Sequence, residues 1–224
     1  ERALQRDGKD ERDGRPAVAF FKFLQSLLFL QSFQLIFMSE HFIPPYGGYE
    51  NLLSFQKARI VFDGTVRFCE RFVDPRSRTV DQMVQAARSG KQNILEGSRA
   101  SGTSKETEIK LTNVARASLE ELLEDYRDFI RLRGIAEWPP DHAYTLRLRQ
   151  LNRTPDAGYD TFKKGIEHPD PAIAANVMIG LIKLTNYLLD QQLRALEQAF
   201  LQEGGLRERM TRARLAARSH HPPS

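Results

Sequence analysis

Four polar residues in the middle of the chain, Gln82, Ser89, Asn93 and Glu96, follow one another at intervals of seven, four and three. On an α-helix those intervals put all four side chains on one stripe. Ser118 and Glu121, three apart, form a second short stripe. Amides, hydroxyls and carboxylates on neighbouring helices could hold a polar substrate or relay a proton. The same residue types also pair across helices as a hydrogen-bond network that fixes register, because buried polar groups must find partners. The network is the expected role, since buried polar groups are best attested as register devices.

Other chemistries find less support. A di-metal carboxylate site in a helical bundle needs Glu-x-x-His on two helices. The histidines are His41, His142, His168, His220 and His221; none falls in a long predicted helix, and no Glu-x-x-His occurs. Glu120, Glu121, Glu124 and Asp125 are interleaved with Arg116, Arg127 and Asp128, which reads as a solvated, salt-bridged face. There is no phosphate-binding Gly-rich loop of the Walker or dinucleotide type. Residues 97–102 (GSRASG) resemble a small anion-binding turn ahead of a helix N-terminus, although capping alone accounts for the hydroxyls. Cys69 is the only cysteine, which excludes an intrachain disulfide and fits a reducing compartment. It falls on an apolar helix stripe with no histidine near it in sequence, so a small core residue is expected. No catalytic group, metal or cofactor is therefore expected.

The remaining chemistry is charge. The chain of 224 residues has a formal net charge of +4, and residues 206–224 alone carry five arginines against Glu208. Candidate contacts to an anionic partner are Arg88, Lys91 and Arg99 around the second predicted helix. Arg116, Arg127 and Arg131 on the third, and Arg207, Arg209, Arg212 and Arg214 in the tail, complete the set. Such residues bind phosphates without sequence preference and with strong salt dependence. The tail has no aromatic residue for base stacking. A merely solvated basic end fits the charge equally well.

These residues need helices to position them. At 41% hydrophobic and 28% charged, the chain can bury a sizeable core. Residues 1–37, with an Phe- and Leu-rich run interrupted by Lys22, Gln25, Gln31 and Gln34, read as an extension outside the fold rather than a membrane anchor. Residues 39–49 are a Pro- and Gly-rich loop. The first helix is predicted over 50–72, with Phe55, Ala58, Phe62, Thr65, Cys69 and Phe72 inward. The second starts near Thr79 with a Thr79/Gln82 capping box and ends on a left-handed cap at Gly97. The third runs 105–133 behind a Thr103/Glu106 box and stops at Gly134. An irregular connection, 135–171, contains one short helix over 141–152 capped by Asp141. The fourth begins with Asp170 as N-cap and Pro171 at N1, continues to about 203 and stops at Gly204-Gly205. The Arg-rich segment 206–218 reads as one more short helix, with Leu206, Met210 and Leu215 on one side. Four long helices and no strand predict an all-α, antiparallel four-helix bundle with an extended fourth helix and a short C-terminal helical tail. Helices 1–3 occupy 38–134; the connection, fourth helix and basic tail occupy 135–224. The overhang of the fourth helix calls for self-association.

Within these helices, QMVQAARS at 82–89, NILEG at 93–97 and ARASLEE at 115–121 resemble a bacterial four-helix-bundle family. That family includes proteins encoded by intervening sequences in 23S rRNA genes, and relatives of the accessory protein of diversity-generating retroelements. NVMI at 176–179, YLLDQQLRALE at 187–197 and FLQEGG at 200–205 resemble its branch with an added suffix region. The likeness spans roughly residues 38–218. It departs from the shorter members at Gly90, where an Ile or Val usually follows the Ser, and in the long connection. The resemblance implies a cytoplasmic bacterial protein without known enzymatic activity, forming a ring-shaped homo-oligomer such as a pentamer. It also implies a basic surface toward RNA or DNA, or toward a reverse transcriptase or other protein, and no membrane.

Overall fold

The computed structural model describes residues 48–154 and 156–220; the extension expected over 1–37 lies outside the described residues. Within them the protein is all-α. A 3-10 turn at Tyr49–Asn51 leads into α1 (Leu53–Phe72), α2 (Arg78–Ala100) and α3 (Lys105–Arg131). Then follow α4 (Ala143–Asn152), α5 (Tyr159–Ile166), α6 (Pro171–Glu203) and α7 (Leu206–His220).

Helix starts follow from capping side chains, in places one or two residues from the predicted ones. Asp170 caps α6 as expected, accepting from the Ala172 N–H at 2.8 Å. For α2 the cap is Ser77, not the Thr79/Gln82 box. For α3 it is Ser104, not Thr103, accepting from the Thr107 N–H. For α4 it is His142, not Asp141. The predicted stop at Gly97 is overturned: α2 runs on to Ala100, and Gly97 is a buried helical residue against α3. Gly204 does end α6, at φ +73°. The connection holds a second helix, α5, which buries Phe162 and Ile166.

α1 packs on α2 and α6, α2 on α3, and α3 on α6, so the four long helices close a circuit around one core. Ser54 donates to Gln192 Oε1 at 2.6 Å, while Gly64, further along α1, meets Met178. Between α3 and α6, Arg116 meets Asp190 and Glu120 meets Asn186. Across the circuit, the Tyr126 hydroxyl donates to Thr65 Oγ1 at 3.2 Å, and Phe68 sits 4.8 Å from the rings of both Tyr126 and Phe129.

The small residues of α2 set the α2–α3 distance. A Cβ on Gly90 would stand 2.7 Å from Leu119 Cγ and Cδ2, and Leu119 is fully buried. The fourth long helix, 33 residues or roughly 50 Å, exceeds the 23-residue α2 as predicted. Its overhang is smaller than expected, because α3 accompanies it: a Cβ on Gly205 would lie 2.8 Å from Glu106 Oε1. Exposed apolar surface there is concentrated at Leu201, 82% exposed. The stretch Pro171–Ala216 is long and apolar enough to cross a membrane by length and composition. Of its most apolar window, 61% is buried inside the protein, as in a core helix.

Replacing Gly90 by Val should push α2 off Leu119 and cost about 1–3 kcal/mol, as overpacking does. Urea unfolding followed by circular dichroism checks this. The exposed neighbour change Arg88→Ala should stay within about 0.5 kcal/mol of wild type.

Candidate nucleic-acid interface

The polar stripe comes first because it had the best claim to chemistry. Asn93 Nδ2 donates to the Ser89 carbonyl at 2.9 Å and to Ser89 Oγ at 3.1 Å; Ser89 Oγ and Ser118 Oγ are 2.9 Å apart. Ser118 Oγ lies 3.0 Å from the Val114 carbonyl, which can only accept, so its hydrogen is spent there. Ser89 is therefore the donor across the α2–α3 seam. The chain of bonds runs one way, from amide through two hydroxyls to a backbone carbonyl, and contains no group that titrates near neutrality. It holds register between two helices. Gln82, Glu96 and Glu121 are exposed and stand apart from it, so the predicted six-residue network reduces to Ser89, Asn93 and Ser118.

At residues 97–102 the hydroxyls serve the turn and the cap, the role the sequence favours over an anion-binding turn. Residues 97–100 are helical. Ser101 Oγ donates to the Ser98 carbonyl at 2.7 Å, Thr103 Oγ1 donates to the Ala100 carbonyl, and Ser104 caps α3. The hydroxyls are consumed by the turn itself. Among the described residues, no three His, Cys, Asp or Glu side chains converge as a metal site would require.

Cys69 is 2% exposed and packs against Met83, with Sγ and Sδ 3.9 Å apart. Burial, reinforced by Asp125 and Glu70, pushes its thiol up to about 11. Burial likewise pushes the Tyr126 phenol well above its ordinary value. Asp125, half-buried, is raised by desolvation and by the neighbouring charges of Glu121 and Asp128. Neither the Cys69 thiol nor the Tyr126 phenol is poised as a nucleophile or base at neutral pH.

The ten basic candidates divide by what each side chain already touches. Arg116 bonds Asp190 at 2.6 Å, Arg131 bonds Asp128 at 2.6 Å, and Arg127 bonds both Glu124 at 2.5 Å and Glu137 at 3.2 Å. Lys91 lies over the Phe62 ring at 4.2 Å and Arg99 over the Tyr49 ring at 5.6 Å. Arg212 donates to the Glu203 carbonyl. Arg209 is half-buried, with Nε and Nη2 buried and lacking a hydrogen-bond partner. Arg88, Arg207 and Arg214 are exposed and make no ion pair among the described residues, and Arg218 joins them. The α3 arginines are thus largely neutralised by acids on α3, α6 and the connection. Of the ten candidates, the exposed ones with no ion pair, hydrogen bond or ring contact among the described residues are Arg88 on α2 and Arg207 and Arg214 on α7. The groove at the α6–α7 elbow also contains Glu203 and Glu208, and so does not form a cradle of one sign.

Sequence reasoning missed Arg149 on α4 and Arg153 at its C-terminal cap, both exposed and outside any ion pair among the described residues. The signal was present as three arginines in RLRQLNR at 147–153. The short helix over 141–152 was predicted, but only the packing shows which charges near its end stay unpaired. The chain matches no family model, no curated protein and no solved structure.

Native protein at about pH 8 should leave Cys69 unmodified by a thiol reagent, and denaturant should expose it to stoichiometric labelling. The native thiol also keeps a proton that the unfolded chain loses above about pH 9. Unfolding free energy should therefore fall as pH rises from about 9 to about 11. Cys69→Ala should flatten that fall in paired urea titrations.

Proposed function

We propose that this chain is a non-enzymatic scaffold, an antiparallel four-helix bundle with an extended fourth helix and a basic C-terminal helix. It assembles as a homo-oligomer, a pentamer in the resemblance described above, and works in the bacterial cytoplasm. It binds nucleic acid, or an enzyme acting on nucleic acid such as a reverse transcriptase, through its basic surface. The contacts along the long helices support the bundle: rising residue numbers on α1 meet falling numbers on α6, and the same holds for α2 with α3 and α3 with α6. The observation that carries the binding role is α7. It has five arginines against one glutamate, and Arg207, Arg214 and Arg218 are exposed without ion pairs among the described residues. Unpaired, solvated cations on one helix can displace the counterions condensed on a phosphate backbone.

Mobility shifts with RNA and DNA at low and high salt test this role. Binding should be strong at low salt and collapse as salt rises. The triple change Arg207→Ala, Arg214→Ala, Arg218→Ala should weaken it and lower the slope of log Kobs against log[salt] by about two to three. Alanine at Arg116, Arg127 or Arg131 should change affinity little, since those charges already have partners. No retardation at low salt overturns the role. Light scattering behind size exclusion reads the assembly against the 25.7 kDa chain.

A second reading is a protein-interaction module that touches no nucleic acid. The exposed side chains of Leu132, Tyr187 and Leu201 favour it. It takes precedence if low-salt binding is absent while a defined protein partner co-purifies and is lost on Leu201→Asp.

A further inference from the structure

α4 and α6 enclose a cleft of about 610 Å³, within the roughly 300–1,000 Å³ typical of small-ligand sites. It is built from one face of each helix. Leu148 and Arg149 on α4, Arg153 at its C-terminal cap in helical conformation, and Lys183, Leu184 and Tyr187 on α6 follow helical spacings. Gly180 makes the approach possible, because a Cβ there would lie 2.9 Å from Leu148 Cδ1.

The lining has a definite chemistry. It contains three cations and no carboxylate. Lys183 is held by Glu137 from the connection, whereas Arg149 and Arg153 make no ion pair among the described residues. The two arginines are one helical turn apart, suited to successive oxygens of a phosphate or of a short phosphodiester. Leu148 and Leu184 supply apolar wall. Tyr187 is 60% exposed, an unusual state for an aromatic ring beside an apolar surface. Asn152, also in the lining, has Oδ1 buried without a hydrogen-bond partner, an acceptor that a donor on a ligand would satisfy after a small side-chain rotation.

We propose that the α4–α6 cleft binds a nucleoside phosphate unit, with Arg149 and Arg153 on the phosphate and Tyr187 against the base. This deepens the nucleic-acid role proposed above and rests on it for one of two sources of the ligand, an unpaired stretch of RNA or DNA; the other is a free nucleotide. The aromatic platform that α7 lacks is supplied here.

Fluorescence anisotropy of a labelled single-stranded oligonucleotide, with adenosine monophosphate binding measured by calorimetry, tests the proposal on the full chain. The variants are Tyr187→Ala, Tyr187→Phe, and Arg149→Ala with Arg153→Ala. All alter exposed side chains, and circular dichroism verifies that each is folded. Tyr187→Ala should weaken oligonucleotide or nucleotide binding at least about fivefold, and Tyr187→Phe should restore it. The double arginine change should weaken binding and reduce its salt dependence. Oligonucleotide binding by wild type that none of these variants alters overturns the cleft and leaves the α7 role standing. Nucleotide binding that Tyr187→Ala weakens, without oligonucleotide binding, supports the cleft and removes the nucleic-acid role. Binding of neither ligand by wild type overturns both.

Discussion

The close contact of α2 with α3 at Gly90 is the constraint on which much of the architecture depends. Leu119 occupies the space a side chain would take, at 2.7 Å from where a Cβ would be. A helix interior ordinarily loses up to about 1 kcal/mol by carrying Gly in place of Ala. Here that loss is offset by dispersion contacts between two helices that could not otherwise come this near. The same approach brings Ser89 and Ser118 within hydrogen-bond distance. Widening the seam by the thickness of one methyl would break the directed chain from Asn93 to Val114 and leave polar groups partly stranded. Gly64 plays the equivalent part between α1 and α6, admitting Met178.

Tight seams leave little room for chemistry inside. The buried hydroxyls are turned back on their own helices: Thr112 donates to the Glu108 carbonyl and Thr185 to the Leu181 carbonyl, each at 2.8 Å. The Tyr126 phenol is held neutral by burial while bonded to Thr65. Even the buried ammonium of Lys57, whose proton affinity burial lowers, is committed to the Ala157 carbonyl at 2.9 Å. Each of these four groups has a partner within the fold, which favours the outer surfaces for any binding function.

Much of this organisation was legible in the sequence. Apolar spacing located the four long helices, and Asp170-Pro171 and Gly204-Gly205 marked both ends of α6, because each end is decided by local backbone chemistry. Gly97 misled because a left-handed cap and a glycine at a close helix contact look alike until the partner helix is known. The caps at Ser77, Ser104 and His142 differ from the predicted ones by one or two residues, since adjacent Ser, Thr, Asp and His side chains compete for the same N–H groups. α5 escaped notice because eight residues offer too few turns for periodicity, and its burial of Phe162 and Ile166 depends on distant residues. At the candidate interface, charge type was legible but availability was not. Asp190 lies far from Arg116 in the sequence, so only the packing of α3 on α6 shows that the pair is closed.

One buried amide joins the core to the surface where the unpaired α4 arginines lie. Asn176, 3% exposed on α6, accepts from the Trp138 N–H at 2.8 Å and donates to the carbonyls of Ala136 and Ala172. It therefore satisfies two backbone groups of the connection that would otherwise be costly to cover. Trp138 in turn stacks on His142 and Tyr144, with ring centroids 4.8 and 5.0 Å away, and His142 is the cap of α4. The start of α4 is thus anchored to α6 through a continuous series of bonds and stacked rings. Leu148 over Gly180 fixes its second point of contact. Two anchors on one rigid helix fix a short helix in direction and in rotation. The placement of Arg149 and Arg153 opposite Lys183 and Tyr187 consequently follows from the core: the sequence predicts the short helix but not the helix it packs on.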